Sequence, residues 1–335
     1  MLRLRHATVI AVGPEPGPIQ RLEISIDGAQ RGAICDVALM GPAVVGDQLI
    51  VNVEALDLGL GSGGFDVVHV NLTRGLDHIG PSAAHVMKLN YTSLQHVVAP
   101  VEGDAIQTPV SRPVAIIGLH GQLAPVTWAA LEHSPGLRIG FVQTVGGALP
   151  GGLSDVVREL RARAMLDGYV TAGAAYGGER EALTTIGAIE HGCAQLGWTA
   201  AICGPGPGII GSASALGHGG MVALDSAHAA LALGAPTILV PRMSSGDQRE
   251  RHRGLSHHTR TVLELLLAPV VVGLPVDTEV DVPSRHERRP VDVDVDGYRA
   301  SGLPIRTMGR TIDEDPLFFA AALAGGTALA LMASQ

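Results

Sequence analysis

The chain has 335 residues, of which 46% are hydrophobic and 16% charged, with a net charge of −9; it can bury a sizeable core and has room for two domains. That acidic balance, without clustered cations, argues against a nucleic-acid binder, whose affinity would come from phosphate contacts. Cys35, Cys193 and Cys203 are widely spaced and show no CxxC pair, so they read as free thiols of a reducing, cytoplasmic compartment.

From Leu2 to about Asn71 short β-like runs alternate with turns: Ala7–Val12, Arg21–Ile26, Gly32–Val37, Gln48–Val53 and Asp66–Val70, separated by Pro14–Pro18, Asp27-Gly28, Gly41-Pro42 and Gly46-Asp47. No helix-length apolar period intervenes, so residues 1–72 are expected to form a small antiparallel β-barrel of oligonucleotide-binding-like or SH3-like outline. Leu58–Gly64 reads as a glycine-rich hairpin tip. The first ten residues lack the apolar core of a signal peptide. Residues 73–112 read as a connecting region bounded by Pro100, Pro109 and Pro113; they include His78 and the single lysine of the chain, Lys88. An ammonium makes a compact phosphate contact that guanidinium does not, which makes Lys88 a ligand-binding candidate.

After Pro113 strands alternate with helices: Val114–Leu119, Pro125–Glu132, Leu137–Gln143, Leu153–Leu166, Tyr169–Ala172, Glu179–Leu196, Ala200–Cys203, Met221–Leu233, Thr237–Val240, Ser256–Leu267 and Val270–Gly273. This spacing predicts βαβ crossovers, so residues 113–335 are expected to form an α/β domain with a doubly wound, mostly parallel Rossmann-like sheet. Residues 275–300 read as an exposed excursion, Leu303–Met308 as a last strand and Glu314–Met332 as a closing helix. Its apolar run Leu317–Ala333 is short for a span and rich in small residues, so a core helix is expected and no membrane partner.

Open parallel sheets bind ligands beyond the carboxyl ends of their strands, at a topological switch point, so function is expected in the segments after the strands. The densest is Gly204–Gly220, with seven glycines in seventeen residues. It holds a formal GxGxxG, but no helix opens at the glycines and Asp225 falls on the next helix rather than at a strand end, so NAD is not expected. No GKS or GKT occurs either. A backbone cradle for a small anion remains, with Gly206, Gly208, Gly211, Ser212, Ser214 and His218 as contacts.

The second feature is Arg249–Thr259. Ser256 reads as a helix N-cap, which puts His257 and His258 in the first turn, where imidazolium is disfavoured. Neutral imidazoles there suit acid–base work or metal binding, with Arg251 and Arg253 as an anion clamp. His120, just past the first strand of the sheet, joins His257 and His258 as a catalytic candidate. A divalent metal is one option, with His120, Asp247 and His257 as ligands from separate loops. A serine triad is weaker, since no GxSxG occurs.

At Ala84–Gln95, Gly204–Gly211, His252-Arg-Gly-Leu-Ser-His-His-Thr259 and Glu314-Asp-Pro-Leu-Phe-Phe319 the sequence resembles a bacterial family described only as a domain of unknown function. The resemblance spans nearly the whole chain and implies no established activity. From the residues alone, the expectation is an enzyme of the hydrolysis or group-transfer class acting on a small anionic metabolite, phosphorylated or nucleotide-like. The alternative is a non-catalytic ligand-sensing or assembly module, and self-association into a homo-oligomer stays open.

Overall fold

The structure, a computed structural model, describes residues 2–14, 17–60, 63–76 and 84–335; His78 and positions 61 and 62 of the Leu58–Gly64 stretch lie outside them. The chain divides into two compact units, Met1–Ala99 and Pro100–Gln335. Residues 73–99 thus go with the barrel and 100–112 with the sheet.

In the first unit β1 (Leu4–Val12), β2 (Ile19–Ile26), β3 (Ala29–Asp36), β4 (Gln48–Asn52) and β5 (Asp66–Asn71) close into a barrel in the order β1-β2-β3-β5-β4, with α1 (Val37–Met40) and α2 (Glu54–Asp57) in the connections. Alternate residues point inward, and Val9, Leu22, Ile24, Leu49, Val51 and Val68 fill the centre. The barrel is mixed rather than antiparallel throughout, because β3 and β5 pair in parallel. The reason is parity: a closed ring with an odd number of strands cannot alternate direction all the way round. Arg31 bridges the parallel seam, its Nε and Nη2 donating to the buried Asp66 carboxylate at 2.6 and 2.9 Å. A short antiparallel hairpin of β6 (Val86–Lys88) and β7 (His96–Val98) belongs to the same unit, with Lys88 buried opposite His96.

The second unit runs β8 (Val114–Ile117), α3 (Leu123–His133), β9 (Ile139–Thr144), α4 (Asp155–Ala162), β10 (Gly168–Ala172), β11 (Arg180–Ala182), α5 (Thr185–Glu190), β12 (Ala200–Pro205), α6 (Val222–Ala232) and β13 (Thr237–Val240). It continues with β14 (Met243–Ser244), β15 (Gly254–Leu255), α7 (His257–Leu265), β16 (Val271–Pro275), β17 (Glu287–Val291), α8 (Val295–Ala300), β18 (Arg306–Thr307), β19 (Arg310–Thr311) and α9 (Pro316–Ala333). Eight strands form one sheet in the order β11-β10-β9-β12-β8-β13-β16-β17, and every pair is parallel.

Parallel strands buried on both faces read as continuous apolar runs, as β8 shows. Ala115 and Ile117 join one core with α3, α4 and α9, while Val114 and Ile116 join the other with α5, α6 and α7. The sheet is therefore doubly wound. The chain leaves β8, β9 and β10 towards one edge and β12 and β13 towards the other, so the switch point lies at the carboxyl ends of β12, β8 and β13.

Two expectations at the C-terminal end are corrected. Residues 287–291, inside the stretch read as an exposed excursion, form β17, the edge strand beside β16. Its charges and Pro290 hide it in the sequence, yet these features suit an edge, where one row of backbone groups faces solvent. The stretch read as a last strand, Leu303–Met308, contributes only β18, which pairs with β19 outside the main sheet.

The helix α9 is long and apolar enough to cross a membrane by length and composition, yet 61% of it is buried within this unit. Its small residues allow close approach: a Cβ added at Gly326 would lie 2.2 Å from the Val126 carbonyl oxygen on α3. Alanine would gain about 1 kcal/mol of helix propensity, but overpacking against backbone costs about 1–3 kcal/mol or more. Gly326→Ala is therefore expected to lower the urea midpoint at an unchanged slope; a raised midpoint would show that α9 packs less tightly.

Candidate functional site

The switch point is assembled from the segments that follow β8, β12 and β13. Gln122 joins two of them. Its Oε1 accepts from the amides of Gly118 and Leu119, each at 3.1 Å, and its Nε2 donates to Pro241 O at 3.1 Å. The segment after β13 is held by carboxylates. Asp315, at the N-terminus of α9, accepts from Ser244 Oγ at 2.7 Å and from the amides of Ser245 and Gly246 at 2.8 and 3.2 Å. Arg310 Nε donates to Asp315 at 2.9 Å while its Nη2 reaches Asp247 at 3.3 Å. Asp247 also receives Arg249 through Nε at 2.9 Å and Nη2 at 2.8 Å, and Arg242 at 3.4 Å.

Burial pushes the Asp247 carboxyl up, but the hydrogen bonds from Arg249 and the charges of Arg249 and Arg310 outweigh it and hold the pKa well below the usual range. With its oxygens committed to arginines, Asp247 is a counter-ion anchor. It is not the metal ligand that the sequence suggested.

This frame sets the start of α7. The Arg242 amide donates to Thr259 Oγ1 at 2.8 Å, and the Ser256 amide donates to Arg242 O at 2.9 Å. Ser256 caps the helix by accepting from the His258 amide at 3.3 Å, and its Oγ lies 2.7 Å from Nδ1 of the buried His252. The cap thus stands at the residue where the sequence placed it, with His257 and His258 in the first turn.

The first turn of α7 meets His218 from the segment after β12. The rings of His218 and His258 stack with centroids 3.4 Å apart and 10° between planes, and His257 stands edge-on to His258 at 4.4 Å. One nitrogen from each of His218, His257 and His258 lies within 4.8 Å of the others. Room for the stacked pair comes from Gly220, where an added Cβ would lie 3.1 Å from Nδ1 of His218 and 3.3 Å from Nδ1 of His258. A narrow cleft beside them is lined by Gly118, Gly220, Val240, Arg242, His258 and Thr259, residues contributed by all three switch-point segments.

All four imidazoles are pushed below the ordinary histidine pKa, first by burial. For His257 the next causes are the charges of His218 and Arg251, for His258 those of His218 and Arg242, and for His252 those of Arg242 and Arg249. They are neutral at pH 7. The sequence argued the same state from the helix N-terminus, but burial leads.

The other candidates divide. Arg251 and Arg253, with Gln248, Glu250 and Arg260, line an open surface depression; Arg253 also donates to Asp247 O at 3.0 Å. Part of the Gly204–Gly220 stretch is closed by its own contacts. The amides of Ile210, Ser212 and Gly219 are spent on Gly146 O, Gly217 O and Ile210 O, and a Cβ at Gly206 would lie 2.4 Å from Ala148 O. Gly206 and Gly219 pack this segment against residues 145–149. Gly208 takes φ +68° at the exposed part of the segment, and a Cβ at Gly211 would lie 2.9 Å from His218 Cβ. Ser212 and Ser214 bond each other at 2.9 Å and the Gly217 backbone, so they shape the turn that carries His218. Lys88 lies in the first unit, buried on β6.

His120 is corrected too. Its Nε2 accepts from Ser154 Oγ at 2.7 Å, its Nδ1 donates to Pro205 O at 3.0 Å, and the same Ser154 caps α4. Both ring nitrogens are used, and His120 lies outside the group of three histidines, tying the segments after β8, β9 and β12 together. Sequence reasoning passed over Arg242, although it stands two residues past the end of β13, where the carboxyl-end rule points. It also passed over Asp315 and Arg310, whose roles depend on contacts distant in sequence.

Burial lowers the His120 pKa from 6.5 to about 4. A depressed histidine stabilises the fold fully above its unfolded pKa, and that contribution is lost as pH falls from 6.5 towards 4, by on the order of 3 kcal/mol. His120→Asn is therefore expected to make the melting temperature fall less steeply between pH 7 and pH 4.5 than in the parent; parallel slopes would show that His120 titrates normally.

No curated protein matches the chain. The DUF3866 family, described as a protein of unknown function, matches residues 32–326 and so takes in most of both units, including every residue of the histidine group. The chain belongs to the DUF3866 family.

Proposed function

We propose that the chain is an enzyme that binds a small anionic metabolite, phosphorylated or nucleotide-like, at the switch point and acts on it by hydrolysis or group transfer. The observation that carries this reading is the juxtaposition of neutral imidazoles with arginines on one short segment. Arg260 lies one helical turn beyond His257 on α7, and the charge of Arg251 is felt at the His257 ring. The exposed guanidinium groups of Arg251, Arg253 and Arg260 offer paired donors to phosphate or carboxylate oxygens. A neutral imidazole beside them accepts a proton from an attacking water or hydroxyl without first having to lose its own.

The barrel and the buried Lys88 have no assigned part in this chemistry. No nucleic-acid or membrane partner is invoked, and the three buried thiols suit a cytoplasmic setting.

Two measurements test the reading. Calorimetric titration with inorganic phosphate and pyrophosphate is expected to show binding that weakens by about 10- to 150-fold with Arg251→Gln plus Arg253→Gln, the loss of about 1.5–3 kcal/mol that a charge-assisted contact carries. Across a panel of phosphate monoesters and diesters, turnover is expected to fall by about 10²–10⁴ in His257→Gln, the usual contribution of a general acid or base. Binding without turnover across the panel would favour the ligand-sensing alternative. Phosphate binding indifferent to the arginines would remove the anion clamp.

A further inference from the structure

We propose that His218, His257 and His258 form a binding site for one divalent transition-metal ion of the zinc type. This inference stands apart from the anion clamp, because it rests on how the three rings are held; with an ion bound, His257 is a ligand rather than the proton acceptor.

The ring of His218 is 7% exposed, and its Nε2 donates to Ala215 O at 3.0 Å. That contact fixes the proton on Nε2 and leaves the lone pair on Nδ1, the orientation that a backbone carbonyl typically imposes on a metal-ligating histidine. Among the described residues, this Nδ1 is buried without a hydrogen-bond partner, and so is Nε2 of His257. Two rings of the group, on elements that meet only in the folded chain, thus each carry a buried nitrogen with its polar capacity unspent. Buried polar atoms in native proteins nearly always have partners, so each such exception calls for an explanation.

The third ring completes the set. Nδ1 of His258 accepts from Arg242 Nη1 at 3.1 Å, so a cation ligated there displaces that hydrogen bond, while Arg242 keeps Asp247 as its counter-ion. The His218 and His258 planes lie only 10° apart in the stack, so one of the two rings turns about its side-chain bonds for both in-plane lone pairs to meet a shared cation. Imidazole nitrogens suit zinc and its first-row neighbours rather than magnesium or calcium, which prefer oxygen. Three protein ligands leave a coordination position for water, the composition typical of catalytic rather than structural zinc sites.

The test uses the full chain, stripped by dialysis against a chelator and titrated with Zn²⁺ against a chromophoric competitor. The expected result is one zinc per chain, with affinity reduced at least ~10-fold by His218→Gln and by His257→Gln, and unchanged by substitution of the exposed His133 with alanine. Far-UV dichroism of each variant reports whether its fold is kept. Because a variant can fail to fold, the spectrum of the Co²⁺-loaded parent decides independently: intense visible bands of a four- or five-coordinate nitrogen site support the proposal. A weak spectrum resembling hydrated Co²⁺, or zinc affinity indifferent to both substitutions in folded protein, overturns it. No substrate enters these measurements, so their failure leaves the anion clamp untouched, and failure of the phosphate titrations leaves the metal site standing.

Discussion

Two buried carboxylates hold the segment on which the candidate site is built. Asp247, within residues 242–256, and Asp315, at the start of α9, are joined by Arg310, which donates to both. Between them they receive three guanidinium groups, two serine hydroxyls and several backbone amides. Charges this deep are tolerated only when paired and hydrogen-bonded, and removing one partner of such a pair typically costs about 3–5 kcal/mol. Without the network nothing would stop residues 243–255 from behaving as an ordinary surface loop. With it, Arg242 presents its backbone to Ser256 and Thr259 and its guanidinium to His258.

The histidines follow from that frame. Packing four imidazoles into one place is unfavourable if they are charged, and burial together with neighbouring arginines keeps them neutral. The same arrangement would be poor design for a salt-bridging cluster and suits proton acceptance or cation ligation. The glycines of residues 204–220 serve this end indirectly. Gly146 and Gly219 let two segments touch backbone to backbone, since a Cβ at Gly219 would lie 1.9 Å from Gly146 O, and Gly220 makes way for the stacked rings.

Much of the fold was legible in the chain. The period of apolar runs marked most strands and helices of the second unit, although the run read as one helix, Glu179–Leu196, opens on the edge strand β11 before α5, and turn residues marked the barrel. What escaped was direction and membership. The parallel β3–β5 seam follows from closing a ring, and β17 carries the signature of an edge rather than of a buried strand. The site was legible in part: His218, His257 and His258 were each singled out, whereas His120 and Asp247 fall outside that group and are held by hydrogen bonds of their own. A histidine after a strand can be ligand or strut, and only its partners tell which. For His120 those partners, Ser154 and Pro205, lie 34 and 85 residues away in sequence.

The sequence by itself determined the α/β class, the separation of a small barrel from a larger sheet, the Ser256 cap and the polar segments at the strand ends, because each depends on local periodicity, turn chemistry or the alternation of elements. Tertiary structure alone decided which of those segments meet. Strand order placed the ends of β8, β12 and β13 side by side, and so brought His218 onto His257 and His258 across some forty residues of chain. Strand order is set by which faces bury best together, a property of the whole sheet that no local stretch of sequence contains.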